Sequence, residues 1–285
     1  ASVTSVTGTG STRTVGVGTG TGSGTLRLNV GDDDSILDSV SNRLGGTGAG
    51  HGNFNTGLTY TIDRTGPSVV SSVRANANPS NRTTVFFTVT FSESVIGVSA
   101  ADFVLTNTGV SGAAITSVTG TGTTRTVGVN TGSGDGTIRL DVVDDDSIQD
   151  SLGNRLGETG AGNGAFTTGQ SYNMDKTAPT VVSSMRMNPN PTTRVTVFFI
   201  VTFSESVTGV NAADFSLTAP GITGASVTSV TGTGATRTVG VGTGTGSGTI
   251  TLNVVDDDTI QDAATNRLGG TGAGNGSFNA GQTYN

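Results

Sequence analysis

The chain has 285 residues and no cysteine, which excludes disulfide bonds, thiolate metal sites and cysteine nucleophiles. Its formal net charge is -7 and its only lysine is Lys176, so there is no basic surface for a phosphate backbone and nucleic acid is not an expected partner. No apolar run approaches the roughly 20 residues that cross a bilayer as a helix, so no membrane span is expected in this segment.

The sequence repeats itself at an interval of 112 residues. Tyr60, Tyr172 and Tyr284 occupy one position of this repeat, and three runs of three aspartates occupy another. A fixed interval without insertions indicates one folding unit copied in tandem. We therefore predict three parts, called here the first, second and third repeats: the C-terminal part of an immunoglobulin-like repeat over residues 1–62, a complete repeat over 63–174 and a complete repeat over 175–285.

Short runs rich in valine, threonine and phenylalanine, separated by glycine-rich turns, predict strands throughout the chain. In the second repeat we place seven strands, at residues 68–74, 83–91, 102–107, 114–119, 123–130, 136–143 and 170–173. Seven short strands in about a hundred residues are typical of an immunoglobulin-like sandwich. The predicted fold class is therefore all-β, with tandem seven-stranded immunoglobulin-like β-sandwiches at a 112-residue repeat.

The second of these strands shows how the core is encoded. Val85, Phe87 and Val89 fall on one face by the two-residue period of a strand, and Thr88 and Thr90 fall on the other. The apolar face is expected to be core, which predicts half-buried antiparallel strands. A long loop follows the sixth strand, and its recurring apolar residues are expected to anchor it to the sandwich.

Acidic residues concentrate in three segments of each repeat: the linker before the first strand, the loop after the second strand and the loop after the sixth strand. If the strands run alternately up and down, these three segments meet at the end of the domain where the chain enters. In the second repeat the acids are Asp63, Glu93, Asp102, Asp144, Asp145, Asp146 and Asp150; in the third they are Asp175, Glu205, Asp214, Asp256, Asp257, Asp258 and Asp262; in the first they are Asp32, Asp33, Asp34 and Asp38. Asp135, Asp141 and Glu158 lie outside this pattern.

Carboxylates held together at one end of a domain repel one another unless a cation lies among them. Calcium is the ion that such a set predicts, because it takes six to eight oxygen ligands in flexible geometry. The acids of the three segments are therefore candidate ligands for Ca²⁺, which would stiffen the linker. The alternative is that the aspartate-rich loops are solvated turns, in which aspartate bonds the nearby backbone.

Several short motifs recur in a fixed order. They are Asp63-Arg-Thr-Gly-Pro67 and Asp175-Lys-Thr-Ala-Pro179 in the linkers, Thr90-Phe-Ser-Glu93 and Thr202-Phe-Ser-Glu205 after the second strand, and Asp150-Ser-Leu-Gly-Asn154 in the long loop. In these motifs the chain resembles the bacterial immunoglobulin-like tandem-repeat domains of large surface and adhesin proteins. The resemblance implies secretion, strings of such domains and frequent stiffening by calcium, and it does not imply an enzyme.

We therefore expect an extracellular, cell-surface protein: a stalk or filament segment that serves adhesion or the assembly of a fibre or sheath. Its expected partners are further copies of the same repeat, in the same chain or in neighbouring subunits, and a cell-surface or glycan ligand. The only histidine, His51, stands where the other repeats have Asn163 and Asn275, which argues against histidine-dependent catalysis.

The alternative function is a carbohydrate-binding β-sandwich module of a secreted protein. Sugar binding usually uses exposed aromatic side chains, and the chain has no tryptophan.

The first repeat supplies only the last four strands of a sandwich, so Leu26, Leu28 and Phe54 are expected to be uncovered. We expect that upstream residues of a longer chain complete it. The alternative is that a neighbouring subunit supplies the missing strands.

Overall fold

The structure is a computed structural model that describes residues 1–285. The chain divides into two compact units: the first is Ala1–Ser68, Ser92–Val98 and Asp144–Gly164, and the second is Val69–Phe91, Ser99–Val143 and Ala165–Asn285. Its regular elements are strands, apart from two single-turn 3₁₀ helices at Ala100–Asp102 and Ala212–Asp214. Neither helix has the length to traverse a membrane.

The first unit contains two small antiparallel sheets. One pairs β1 (Ser2–Thr7) with β2 (Thr14–Gly18), and the other pairs β3 (Gly24–Arg27) with β4 (Thr59–Ile62). The side chains of Leu28, Phe54 and Tyr60 are 41%, 52% and 70% exposed. Of the residues expected to be uncovered, Leu28 and Phe54 are exposed and Leu26 is half-buried.

The second unit contains two sandwiches, the first of them built by the second repeat. Its strands are β5 (Val69–Arg74), β6 (Thr84–Phe91), β7 (Phe103–Thr108), β8 (Ala114–Thr119), β9 (Thr124–Asn130), β10 (Gly136–Val142) and β11 (Ser171–Met174). Each strand begins and ends within one residue of its predicted position. They form one antiparallel sheet in the order β5-β6-β9-β8 and another in the order β7-β10-β11.

The third repeat builds the other sandwich. Its strands are β12 (Val181–Arg186), β13 (Thr196–Phe203), β14 (Phe215–Thr218), β15 (Ile222–Thr223), β16 (Ser226–Thr231), β17 (Thr236–Gly242), β18 (Thr245–Gly246), β19 (Ile250–Val254) and β20 (Thr283–Tyr284). The sheets have the orders β12-β13-β17-β16 and β14-β19-β20, with a small β15-β18 pair beside them.

Both sandwiches place the first, second, fifth and fourth main strands in one sheet and the third, sixth and seventh in the other. This is the strand order of a constant-type immunoglobulin domain. The all-β, immunoglobulin-like prediction is therefore confirmed. The 112-residue period and the domain boundaries at residues 63 and 175 stay predictions.

The core of the third repeat lies between its two sheets. Phe199 of β13, Val239 of β17 and Leu252 of β19 have no exposed surface and belong to one apolar cluster. Ile260 and Leu268 of the long loop belong to the same cluster. The long loop is thus anchored in the core, which fixes where its acidic residues lie.

Candidate metal sites at the linkers

Two clusters of three carboxylates lie at the linkers. Asp63, Glu93 and Asp150 form one cluster in the first unit, and Asp175, Glu205 and Asp262 form the other in the second unit; within each cluster the ligand oxygens lie within 4.8 Å of one another. Each cluster takes one acid from the linker, one from the loop after the second strand and one from the long loop. The three segments that the sequence predicted to meet therefore do so at both linkers.

A tight turn in the long loop positions the most buried acid of the first cluster. The carboxylate of Asp150 accepts hydrogen bonds from the backbone N–H of Leu152 at 2.8 Å and of Asn154 at 2.9 Å. Gly153 adopts φ +90°, in the left-handed region that glycine occupies at little cost. Burial raises the pKa of Asp150, but the bonds from Asn154 and Leu152 outweigh it and hold that pKa below the usual aspartate value. Asp150 is therefore a preorganised anion.

An asparagine links each turn to its linker. The side-chain amide of Asn154 donates to the Asp150 carboxylate at 2.7 Å and to the main-chain carbonyl of Asp63 at 3.3 Å. Asn266 makes the equivalent bonds to Asp262 at 2.8 Å and to Asp175 at 3.0 Å. The linker backbone is therefore held beside the long-loop acid by a single side chain.

The electrostatics of the clusters favour partial neutralisation. Burial and then the charges of Asp150 and Asp63 raise the pKa of Glu93. Burial and then the charges of Asp262, Asp175 and Asp135 raise the pKa of Glu205.

The acid of the second linker behaves in the same way. Burial raises the pKa of Asp175, and the charges of Asp262 and Asp135 raise it further, against an opposing bond from the backbone of Thr177. A nearby cation would relieve the repulsion in each cluster.

The second linker has a fourth acid that the sequence pattern left out. Asp135 accepts the backbone N–H of Lys176 at 2.5 Å and the hydroxyl of Thr177, both in the linker. Its place is taken by Ser23 in the first repeat, so comparison of the repeats gave no signal for it. Asp135 therefore brings an acid to the second linker from the end of the preceding repeat.

Glu158, also outside the pattern, contacts the other linker by accepting the backbone N–H of Gly66 at 3.1 Å. Its counterparts in the other repeats are Gly46 and Gly270. Asp141, in contrast, pairs with Arg139 of the same strand at 2.6 Å and has no part in a linker.

The aspartate runs after the sixth strands are bonded within their own loops. Asp144 accepts the backbone N–H of Gly164 at 3.0 Å and of Asp146 at 3.1 Å. Asp146 accepts the N–H of Gly160 at 3.1 Å and pairs with Arg155 at 3.1 Å. The sequence predicted that these carboxylates would repel one another. In the structure, backbone N–H groups and Arg155 offset that repulsion.

The same loop architecture recurs in the other two repeats. The first aspartate of each run accepts a backbone N–H: Asp32 from Gly52 and Asp256 from Gly276. The third forms an ion pair: Asp34 with Arg43 and Asp258 with Arg267. The middle aspartate accepts the backbone N–H two residues further on in all three runs: Asp33 from Ser35, Asp145 from Ser147 and Asp257 from Thr259. None of these aspartates joins a three-carboxylate cluster. They organise their own loops, Asp32 and Asp256 from buried positions.

The remaining candidate ligands also have local roles. Asp102 and Asp214 accept the backbone N–H of Ser99 and Asn211 at 2.6 Å, closing the capping boxes of the two 3₁₀ helices. Asp38 accepts the side-chain amide of Asn42 at 2.9 Å, and it lies in no three-carboxylate cluster. Of the acids that the sequence singled out, six are brought together in threes.

The donors in the two clusters are carboxylate oxygens, without nitrogen or sulfur. Such a set suits a hard cation such as calcium better than zinc, which prefers histidine and cysteine ligands. The donor chemistry therefore fits the ion that the sequence predicted.

No family model and no curated protein matches the chain. Among solved structures, the chain is similar to FdeC, described as a broadly conserved Escherichia coli adhesin that elicits protection against urinary tract infections. The sequence identity is 15%, the match covers 78% of this chain and 67% of that chain, and the TM-score is 0.33.

Proposed function

We propose that the chain is a structural segment of an extracellular, cell-surface protein: a stalk or filament of immunoglobulin-like domains in series, with linkers stiffened by calcium. The observation that carries the proposal is that each linker contributes one carboxylate to a cluster completed by two loops of the following repeat. The role is mechanical, holding an adhesive partner or a neighbouring fibre at a distance. Its partners are further repeats of the same kind and a surface or glycan ligand.

The residues that would hold the ion are Asp63, Glu93 and Asp150 at one linker, and Asp175, Glu205 and Asp262 at the other. A bound calcium would neutralise their mutual repulsion and cross-link three segments that are distant in sequence. Because the ion would bind the folded arrangement and not the unfolded chain, it would raise the free energy of unfolding with the logarithm of its concentration once that exceeds the dissociation constant. The linker would then have fewer accessible orientations.

The experiment compares the chain in calcium and in chelator by thermal unfolding and by small-angle X-ray scattering. We expect calcium to raise the unfolding temperature and to narrow the distribution of overall dimensions. The double variant Glu93→Gln, Glu205→Gln is the control, and calcium should change neither quantity in it. An identical melting curve and scattering profile of the wild-type chain with and without calcium would remove the metal from the proposal.

One observation favours the carbohydrate-binding alternative. Phe86 and Phe198 are 38% and 37% exposed on the outer faces of their four-stranded sheets, opposite Gly128 and Gly240. Exposed rings among neutral hydroxyl groups are the kind of surface on which sugar rings stack. A glycan array probed with the wild-type chain and with Phe86→Ala, Phe198→Ala tests this alternative: a signal that the substitutions abolish would support sugar binding on these faces, and a signal that they leave unchanged, or no signal, would contradict it.

A further inference from the structure

A groove of about 560 Å³ opens at one end of the third repeat. The residues that line it include Arg194, Thr243, Gly244, Ser247 and Tyr284. The equivalent surfaces of the first and second repeats are occupied by the linkers that follow them. These two occupied cases show which groups of a repeat contact the linker that follows it.

In the second repeat the groove holds Lys176 and Thr177. The ammonium group of Lys176 donates to the Thr131 hydroxyl at 2.9 Å and to the carbonyl of Gly132. The backbone N–H of Lys176 and the hydroxyl of Thr177 both donate to Asp135. The Lys-Thr pair is therefore bound by the hydroxyl of Thr131, the carbonyl of Gly132 and the carboxylate of Asp135.

In the first repeat the corresponding loop holds Arg64 and Thr65. The guanidinium of Arg64 donates to the Thr19 hydroxyl at 2.5 Å and to the carbonyl of Gly22 at 3.1 Å. The hydroxyl of Ser23 accepts the backbone N–H of Arg64 at 2.9 Å and lies 3.1 Å from the hydroxyl of Thr65. Serine thus does here what Asp135 does in the second repeat.

The loop of the third repeat has the sequence of the first. Thr243-Gly-Thr-Gly-Ser-Gly248 is identical to Thr19-Gly-Thr-Gly-Ser-Gly24, whereas the second repeat has Asp135 at the serine position. The open groove therefore carries the neutral, serine-containing acceptor set that holds an arginine in the first repeat.

The walls of the open groove are already formed. The hydroxyl of Thr243 donates to the carbonyl of Arg194 at 2.9 Å, as Thr131 donates to Arg82 at 2.6 Å in the occupied groove. A hydroxyl that donates one hydrogen bond can still accept others. The groove therefore needs little rearrangement to accept a ligand.

The floor of the groove is matched as well. The backbone N–H of Thr192 donates to the Asn285 carbonyl at 3.1 Å, as that of Ser80 donates to Asn173 at 3.0 Å. In the occupied groove the Ser80 carbonyl then accepts the N–H of Asp175 at 3.1 Å. The carbonyl of Thr192 is the equivalent acceptor for an incoming aspartate.

We propose that this groove is a recognition site for an Asp-Arg-Thr segment, the linker of a further repeat of this kind, and that Ser247 makes it prefer arginine to lysine. A guanidinium spreads its charge over several donors and suits the neutral hydroxyl and carbonyl acceptors, whereas the compact ammonium of lysine gains more from an acidic neighbour such as Asp135. The inference rests on the proposed serial arrangement of domains, and it does not require calcium.

The test is a titration of the isotope-labelled chain, in chelator, with a blocked peptide of residues 61–67, followed by the NMR shifts of backbone amides. We expect shifts confined to the loop 243–248 and the adjoining Asn285. The loops 19–24 and 131–136 of the same molecule are internal controls, and they should not respond because their own linkers fill them.

Two comparisons test the specificity. The peptide of residues 173–179, which carries lysine, should bind several-fold more weakly than the arginine peptide, and Ser247→Asp should reverse this order. Ser247→Ala should weaken the arginine peptide by about fivefold, the effect of losing one hydrogen bond. A peptide carrying Arg64→Ala and Thr65→Ala should leave the amides of loop 243–248 unmoved.

The proposal is overturned if millimolar arginine peptide leaves the 243–248 amides unmoved, or if the doubly substituted peptide moves them equally. If the chain binds the peptide specifically but does not respond to calcium, the groove proposal stands and only the calcium proposal is contradicted. If the chain responds to calcium but does not bind the peptide, only the groove proposal is contradicted.

Discussion

The side-chain amide of Asn266 lies 3.0 Å from the main-chain carbonyl of Asp175 and 2.8 Å from the carboxylate of Asp262, and donates to both. One asparagine therefore joins the linker, the long loop and the acidic cluster. Asn81 of the preceding sandwich donates to the Asn266 carbonyl oxygen at 3.1 Å. The junction is thus organised by direct hydrogen bonds, independently of any ion.

Asn266→Ala should destabilise the chain by about 1–3 kcal/mol, because it leaves a buried carboxylate and a linker carbonyl without their donor. Asn42→Ala is the matched control: Asn42 makes the same bond to Asp38 at 2.9 Å, at a place where no three-carboxylate cluster forms. Urea denaturation of both variants measures the difference. Equal losses of stability would show that the asparagine supports only its own turn.

The acidic clusters predict a pH dependence in chelator. Burial and neighbouring acids raise the pKa of Glu205 in the folded state, so folding takes up a proton and stability is lost as pH rises through that pKa. The thermal midpoint should therefore rise as pH is lowered from neutrality toward the ordinary glutamate pKa. At lower pH it should fall again, because bonds from Ser147 and Thr259 lower the pKa values of Asp145 and Asp257.

Glu205→Gln should raise the midpoint at neutral pH in chelator and flatten its rise on acidification. Glu158→Gln is the control, since Glu158 lies outside both clusters. Calorimetry across the pH range measures the thermal midpoints of the wild-type chain and of both variants. A wild-type midpoint that only falls on acidification would contradict the predicted repulsion.

Asp256 separates loop architecture from metal binding. Its buried carboxylate accepts from Gly276 at 3.0 Å and from Asp258 at 3.1 Å, so Asp256→Ala should cost about 1–3 kcal/mol of stability. The affinity for calcium, measured by isothermal titration calorimetry, should change little. Asp262→Asn, in contrast, should cause a large loss of calcium affinity. A comparable loss of affinity in Asp256→Ala would show that the aspartate runs also bind the ion.

Tyr172 joins the two sheets of its sandwich. Its ring meets Phe87 edge-on with centroids 5.1 Å apart, and its hydroxyl donates to the Phe86 carbonyl and accepts from Asn76, both at 2.8 Å. Tyr172→Phe should therefore destabilise the second repeat by about 1–3 kcal/mol. Tyr60→Phe should have little effect, because Tyr60 is 70% exposed, and similar unfolding free energies for the two variants would contradict this role.

The strands could be predicted from the sequence because burial on one face imposes a two-residue period. Val85, Phe87 and Val89 are fully buried, and the residues between them, Phe86 and Thr88, lie on the other face, as the alternation requires. The glycines between β8 and β9 also marked their turn: Gly120 and Gly122 have φ of +99° and +69°. These signals are local, and the sandwich follows from them.

The division of labour among the acids could not be predicted in the same way. Asp144 is satisfied by the backbone of Gly164, twenty residues away along the loop, and a backbone N–H leaves no trace in the sequence. Asp135 likewise bonds the backbone of Lys176 and has no acidic counterpart in the other repeats. Repetition identified the acids that recur, but it could not distinguish a carboxylate that organises its loop from one that faces the linker.

The most direct test of calcium-stiffened linkers is the number of ions bound, measured by isothermal titration calorimetry of the metal-free chain at neutral pH. We predict two calcium ions per chain, one ion for Glu93→Gln and for Glu205→Gln separately, and none for the double variant. Absence of calcium binding, or a stoichiometry that the glutamate substitutions leave unchanged, would contradict the account.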